Sequence, residues 1–154
     1  MRRVILAVVV GCSVVLGGTV GTPATAATAA TKPATRYALA AIHATNAQRT
    51  AHHLQPLKFD RCLKRLATRQ AARMARQNRL SHQSLTVAMR RCNLHAVGEN
   101  VAAGFPSGTA VVNVGWMNSP PHRANILDAG FRLMAITAKK AHGRWWVAQV
   151  FGTR

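Results

Sequence analysis

The sequence predicts an α+β domain, and three observations carry the reading. Apolar residues recur at helical spacing through the N-terminal half, two strand-like runs lie back to back at the C-terminal end, and the two patterns do not alternate. Regular alternation would point to a doubly wound α/β sheet, whereas helices first and strands late point to α+β. The length, 154 residues, suits one domain better than two.

The chain opens like a secretory signal. Arg2 and Arg3 precede an apolar, small-residue run over residues 4–20, and "GTPATAATAA" then offers A-x-A cleavage after Ala26 or Ala29. An apolar run of about 17 residues is at the short end for a membrane span. Residues 1–29 are therefore read as a removed signal peptide, with no retained transmembrane helix, and a secreted, extracellular location follows. Residues 30–36 belong to a low-complexity stretch and are read as a flexible lead-in to a domain over 37–154.

Residues 37–53 read as a helix with Leu39, Ile42, Ala47 and nearby alanines on its inner side. Asp60 is a good N-cap for a second helix reaching about Asn78. Its inner stripe is Leu63, Leu66, Ala67, Ala71 and Met74, while Lys64, Arg65, Arg69, Arg73 and Arg76 lie mostly on the other faces. Residues 80–106 read as loop-rich. A third helix is expected over 109–118, with Val111, Val112, Gly115 and Trp116 inside. Pro120 and Pro121 stop it, and Pro121 suits the first turn of a short helix running to Leu127. "FRLMAITAKK" and "RWWVAQVFG" are strands joined at "AHG" in an antiparallel hairpin.

Charge is the strongest compositional signal. The chain has 21 lysines and arginines against three acids, Asp60, Glu99 and Asp128, for a formal net charge of +18; removing Arg2 and Arg3 with the leader leaves +16. Such a surface collects at anionic polymers outside the cell, among them wall polymers and acidic lipids. The plainer alternative is a solvated basic surface with no partner. No aromatic residues interleave with the arginines, so specific nucleic-acid binding has no support. Cys12 leaves with the leader, and Cys62 and Cys92 remain as an even pair in an oxidising compartment. A Cys62–Cys92 disulfide is the expectation, and two buried free thiols are the alternative. Cysteine-bound zinc is disfavoured, because no C-x-x-C occurs.

Seven histidines accompany a single glutamate. Glu99 sits in the apolar stretch "AVGENVAAG", where a carboxylate tends to be buried and to need a partner. It could tie down a loop by accepting backbone hydrogens, or it could work with His82 and His122, which sit beside short polar residues at helix–loop junctions. There is no H-E-x-x-H, no G-x-S-x-G and no phosphate loop. Glycoside hydrolysis would want two carboxylates, which three acids can hardly supply.

Six segments then occur in a telling order: "NAQR" at 46–49, "PLKFD" at 56–60, "SH" at 81–82, "GENVAAG" at 98–104, "WMNSPPHRANIL" at 116–127 and "WWVAQVFG" at 145–152. Together they resemble the CAP superfamily (cysteine-rich secretory proteins, antigen 5 and pathogenesis-related proteins), most closely its secreted bacterial, SCP-like branch. The resemblance implies an α-β-α sandwich with a central antiparallel sheet. It also implies a cleft lined by His82, Glu99 and His122, with Ser119 where many relatives carry a second glutamate. Some members bind a divalent metal such as zinc through the two histidines, here His82 and His122. The loss of one carboxylate at Ser119 argues for a non-catalytic or weakly catalytic module that binds a ligand or the cell wall. The competing reading is a metal-assisted, protease-like hydrolase using His82, Glu99 and His122, and a lipid carrier is a third.

Overall fold

The computed structural model describes residues 31–154; the expected signal peptide over 1–29 lies outside the described residues. Helix α1 (Pro33–Ala51) starts four residues before Tyr37, because Pro33 stands in the first turn, where its missing N–H is no loss. Residues 33–36 are thus helix rather than lead-in. The inner face of α1 also differs from expectation. Tyr37, Ala41, Ala44, Thr45 and Arg49 are buried, while Leu39 is 46% exposed, Ala47 is exposed and Ile42 is half-buried. Two of the five inner residues are polar, and each has a buried partner, so apolar character alone misplaces the face. The guanidinium of Arg49 donates to the backbone oxygens of Gln55, Ile126 and Asp128 at 2.8–2.9 Å, which locks α1 to two loops.

Strand β1 (Lys58–Phe59) leads into α2 (Arg61–Gln77), whose N-terminus is capped as expected: Asp60 Oδ1 accepts the Leu63 N–H at 2.9 Å. The expected apolar stripe of α2 is buried, together with Gln70 and Ala75. Residues 80–106, expected as loop, instead contain α3 (Leu85–Cys92) and β2 (Ala96–Ala103). Helix α3 buries only Ala88 and Cys92, too little to leave a stripe in the sequence. Strand β2 is covered on both faces along most of its length, which removes the alternation by which a half-buried strand is recognised.

A short α4 (Gly108–Ala110) continues into a π-helical segment, Val111–Trp116, within the helix expected over 109–118; Val111, Val112 and Trp116 are buried and Gly115 is half-buried. Gly108 lets α4 touch α1: a Cβ there would meet the Tyr37 carbonyl oxygen at 2.1 Å. Helix α5 (Pro120–Leu127) takes both prolines in its first turn. The hairpin of β3 (Leu133–Ala141) and β4 (Arg144–Thr153) turns on His142 and Gly143, both at positive φ, as a two-residue hairpin loop requires.

The sheet order is β1-β3-β4-β2. The three long strands are antiparallel as expected, but β1 pairs parallel to β3, so the sheet is mixed. One core packs α1, the π-helical segment and α5 against Met134, Ile136, Val147 and Phe151. The other packs α2 and α3 against Ala135, Trp146, Ala148 and Val150. Helices on both faces make the α-β-α sandwich.

Cys62 and Cys92 are bonded, joining the start of α2 to the end of α3 across 30 residues of sequence. In the chain-entropy account a loop of that length contributes about 3–4 kcal/mol. Urea unfolding with and without reductant should differ by that amount, and a difference below about 1 kcal/mol would rule out the bridge as a major stabiliser.

Candidate functional site

Strand β2 lies at the sheet edge, and its alternation sends Glu99 and Asn100 to opposite faces. Each anchors a different part of the site.

The Glu99 carboxylate is fully buried on the α2–α3 side. Oε2 accepts from His82 Nδ1 at 2.9 Å and from the Gln83 backbone N–H at 3.1 Å, and Oε1 accepts from Gln83 Nε2 at 2.6 Å. Glu99 Oε2 also takes the Gln83 N–H, so the contact calls for an acceptor oxygen and for the His82 proton on Nδ1, with Nε2 as the other ring nitrogen. The loop is also held from below: Gln70 donates to the Ser81 carbonyl, and Arg73 Nη2 donates to the His82 carbonyl at 2.8 Å. The His82 side chain is nevertheless 58% exposed. A fixed backbone thus presents a solvent-facing imidazole.

On the other face, Asn100 Nδ2 donates to the His122 carbonyl and to Gln149 Oε1, each at 3.1 Å, while Asn100 Oδ1 accepts from Asn125 Nδ2 at 2.9 Å. Gln149 Nε2 continues to Thr45 Oγ1 at 3.0 Å. This buried amide chain ties α1, β4, β2 and α5 together and fixes the first turn of α5. Ser119 is the N-cap residue of α5, but its hydroxyl caps nothing. Pro120 and Pro121 have no N–H to offer, and Ser119 Oγ instead lies 2.8 Å from His122 Nδ1. Burial, and then the charge of His82, hold the His122 pKa below its ordinary value. That coupling puts the two imidazoles in one electrostatic neighbourhood.

The structure therefore groups His82 with Glu99 and Ser119 with His122, and it joins the two pairs through β2. Sequence reasoning missed Gln83, Asn100, Asn125 and Gln149. Asn100 and Asn125 stand inside the motifs "GEN" and "HRANIL", but nothing in the sequence shows that their amides meet.

The donor set does not fit zinc. Open zinc sites use three protein ligands. Here both Glu99 oxygens are engaged, and among the described residues no three His, Cys, Asp or Glu side chains converge. The metal-assisted hydrolase expectation finds no support in this arrangement.

The α-β-α sandwich with its mixed sheet is the fold of a CAP-type domain. The chain belongs to this family: residues 42–151 match CAP, the cysteine-rich secretory protein family. It is 32% identical over 123 residues to the uncharacterised protein YkwD of Bacillus subtilis, covering 75% of this chain and 47% of that protein. Its fold is similar to an extracellular protein with an SCP domain from Bacillus anthracis (TM-score 0.68, 25% identity, 81% of this chain and 45% of that one). It is also similar in fold to an outer surface protein of Borrelia burgdorferi (TM-score 0.65, 22% identity, 73% and 89%). The chain spans about half the length of the curated relative it matches.

The lowered pKa of His122 carries a pH dependence. The unfolded chain binds this proton more readily than the folded one, so His122 costs nothing well above its unfolded pKa of about 6.5 and destabilises the fold as pH falls below it. Urea titrations at pH 7.5 and pH 5 should show lower stability at the acid end, with a smaller loss in His122→Gln. An unchanged slope in the variant would exclude His122 as a source.

Proposed function

We propose that this chain is an exported CAP-domain binding module. It is held at the bacterial surface by its cationic faces and presents the His82, Glu99, Ser119 and His122 cleft to a ligand. One observation carries the retention: the three acids are engaged elsewhere and leave the cations of α2 unneutralised. Asp60 caps α2 and pairs with Arg154 at 2.9 Å, Glu99 is buried, and Asp128 Oδ1 accepts from the Gly130 N–H. On the outer face of α2, Arg61, Lys64, Arg65, Arg69 and Arg76 are exposed along a helix of 17 residues, about 25 Å at 1.5 Å per residue. A row of cations of this length suits an anionic wall polymer, by counterion release. The extracellular and outer-surface relatives favour the same location.

The cleft supports recognition rather than turnover. Glu99 spends its carboxylate on orienting His82 and Gln83, so it is not free to act as a base. What faces a ligand is a fixed imidazole of each pair, one beside a hydroxyl, suited to exchanging hydrogen bonds with a polar group.

Retention on purified cell-wall material tests the reading. Raising salt from about 0.05 to 0.5 M should release the protein at least tenfold more readily, as expected when several cations meet an anionic polymer. Neutralising Lys64, Arg65 and Arg69 to Gln should lower the salt at which it elutes. Retention equal at both salts would overturn the charge-driven account.

A further inference from the structure

A second polar site lies at the opposite edge of the sheet from the His–Glu cleft, beside β1. The loop after α1, strand β1 and the start of β3 enclose a cavity of about 690 Å³, which includes Arg49, His53, Leu54, Lys58, Arg132 and Leu133 in its lining. We propose that this cavity binds a phosphoryl group carried on a small organic ester.

Arg49 is the built part of the site. It is 1% exposed, and its Nε and Nη1 are spent on three backbone oxygens. Its Nη2 has no hydrogen-bond partner among the described residues and is the donor left for a ligand. Arg132 is arranged alike: Nη1 donates to the carbonyls of Ala129 and Phe131, and Nη2 has no partner among the described residues. The charge of Arg132 adds to burial in pulling the Arg49 pKa down, and Asp128 opposes it. Two guanidiniums lining one cavity repel each other, and an anion between them relieves the repulsion.

The charge balance selects the ligand. Arg49, Arg132 and Lys58 line the cavity and Asp128 is the one carboxylate acting on Arg49, which leaves an excess of about two positive charges. A carboxylate ligand would leave half of that unanswered, whereas a phosphate monoester is close to a dianion and accepts hydrogen bonds from several directions. The cavity is larger than a phosphate needs, and Leu54 and Leu133 supply apolar wall for an organic body. His53, exposed in the left-handed region at φ 58°, adds another donor at the rim.

The test is titration of the purified protein with inorganic phosphate, glycerol 1-phosphate and phosphatidic acid vesicles at about 0.15 M salt, where loose surface attraction is screened. Amide NMR shifts are the readout. Saturable shifts centred on Leu54, Gln55 and Lys58 are expected, with glycerol phosphate tighter than phosphate. Competition by the vesicles would assign a lipid headgroup as the source, and its absence a soluble or polymer-borne ester. Lys58→Gln and Arg132→Gln, both at exposed positions, should each weaken binding about tenfold, the usual worth of one charge-assisted hydrogen bond. Lys139→Gln, exposed at the far end of β3 and outside the cavity lining, should leave binding unchanged. Shifts that fail to saturate, or an equal loss in Lys139→Gln, would overturn the proposal. Because this site shares no residue with the α2 face or the His–Glu cleft, its failure would leave the binding-module reading intact.

Discussion

Glu99 and Asn100 are neighbours on an edge strand, so their side chains leave the sheet on opposite faces. That alternation is the constraint on which the site depends. Glu99 reaches into the α2–α3 layer and fixes the loop that carries His82. Asn100 reaches into the α1–α5 layer and fixes the turn that carries His122. Two helical layers that never touch through the sheet are thereby held in register at its rim. A one-residue slip of β2 would exchange the two side chains and leave a carboxylate against the amide network. The antiparallel pairing of β2 with β4, Glu99 opposite Val150 and Asn100 opposite Gln149, guards against that slip. The Gln149 side chain then closes the network onto α1 through Thr45.

The same economy governs the charges. With three acids in the chain, each carboxylate is committed to a structural task, and the cations on the helical surfaces are left without a carboxylate partner among the described residues. The exception among the cations is Arg49, which is buried and does the work of a loop clamp. Its partners are backbone carbonyls rather than a carboxylate, so burying it consumes none of the scarce negative charge. The fold is thus assembled without neutralising its surface, which leaves that surface free to meet anionic material.

Much of this was legible in the sequence, and the reason differs from element to element. Helix α2 was plain because a long amphipathic stripe follows an aspartate cap, and the hairpin because two apolar runs flank His142–Gly143. His82, Glu99, Ser119 and His122 were singled out from short motifs and from the scarcity of acids. What stayed hidden depends on contacts between distant segments. The inner face of α1 includes Thr45 and Arg49, whose burial makes sense only once their partners on β4 and in the loops are known. Strand β2 is covered on both faces, so it lacks the alternation that marks a strand, and α3 buries too few residues to mark a helix. Gln83, Asn100, Asn125 and Gln149 look like ordinary surface amides until the fold brings them together. The role of Glu99 was hidden for a related reason: the motifs supply the two imidazoles, but only the three-dimensional arrangement reveals that both carboxylate oxygens are engaged by His82 and Gln83.

The central claim is that Glu99 is a positioning group that holds His82 in one tautomer. Long-range ¹⁵N–¹H correlation of the histidine rings near neutral pH tests it directly. The account predicts that His82 carries its proton on Nδ1, and that Glu99→Gln releases this preference and leaves the Ser119–His122 pair unchanged. A wild-type His82 protonated on Nε2, or a tautomer indifferent to the Glu99 substitution, would contradict it.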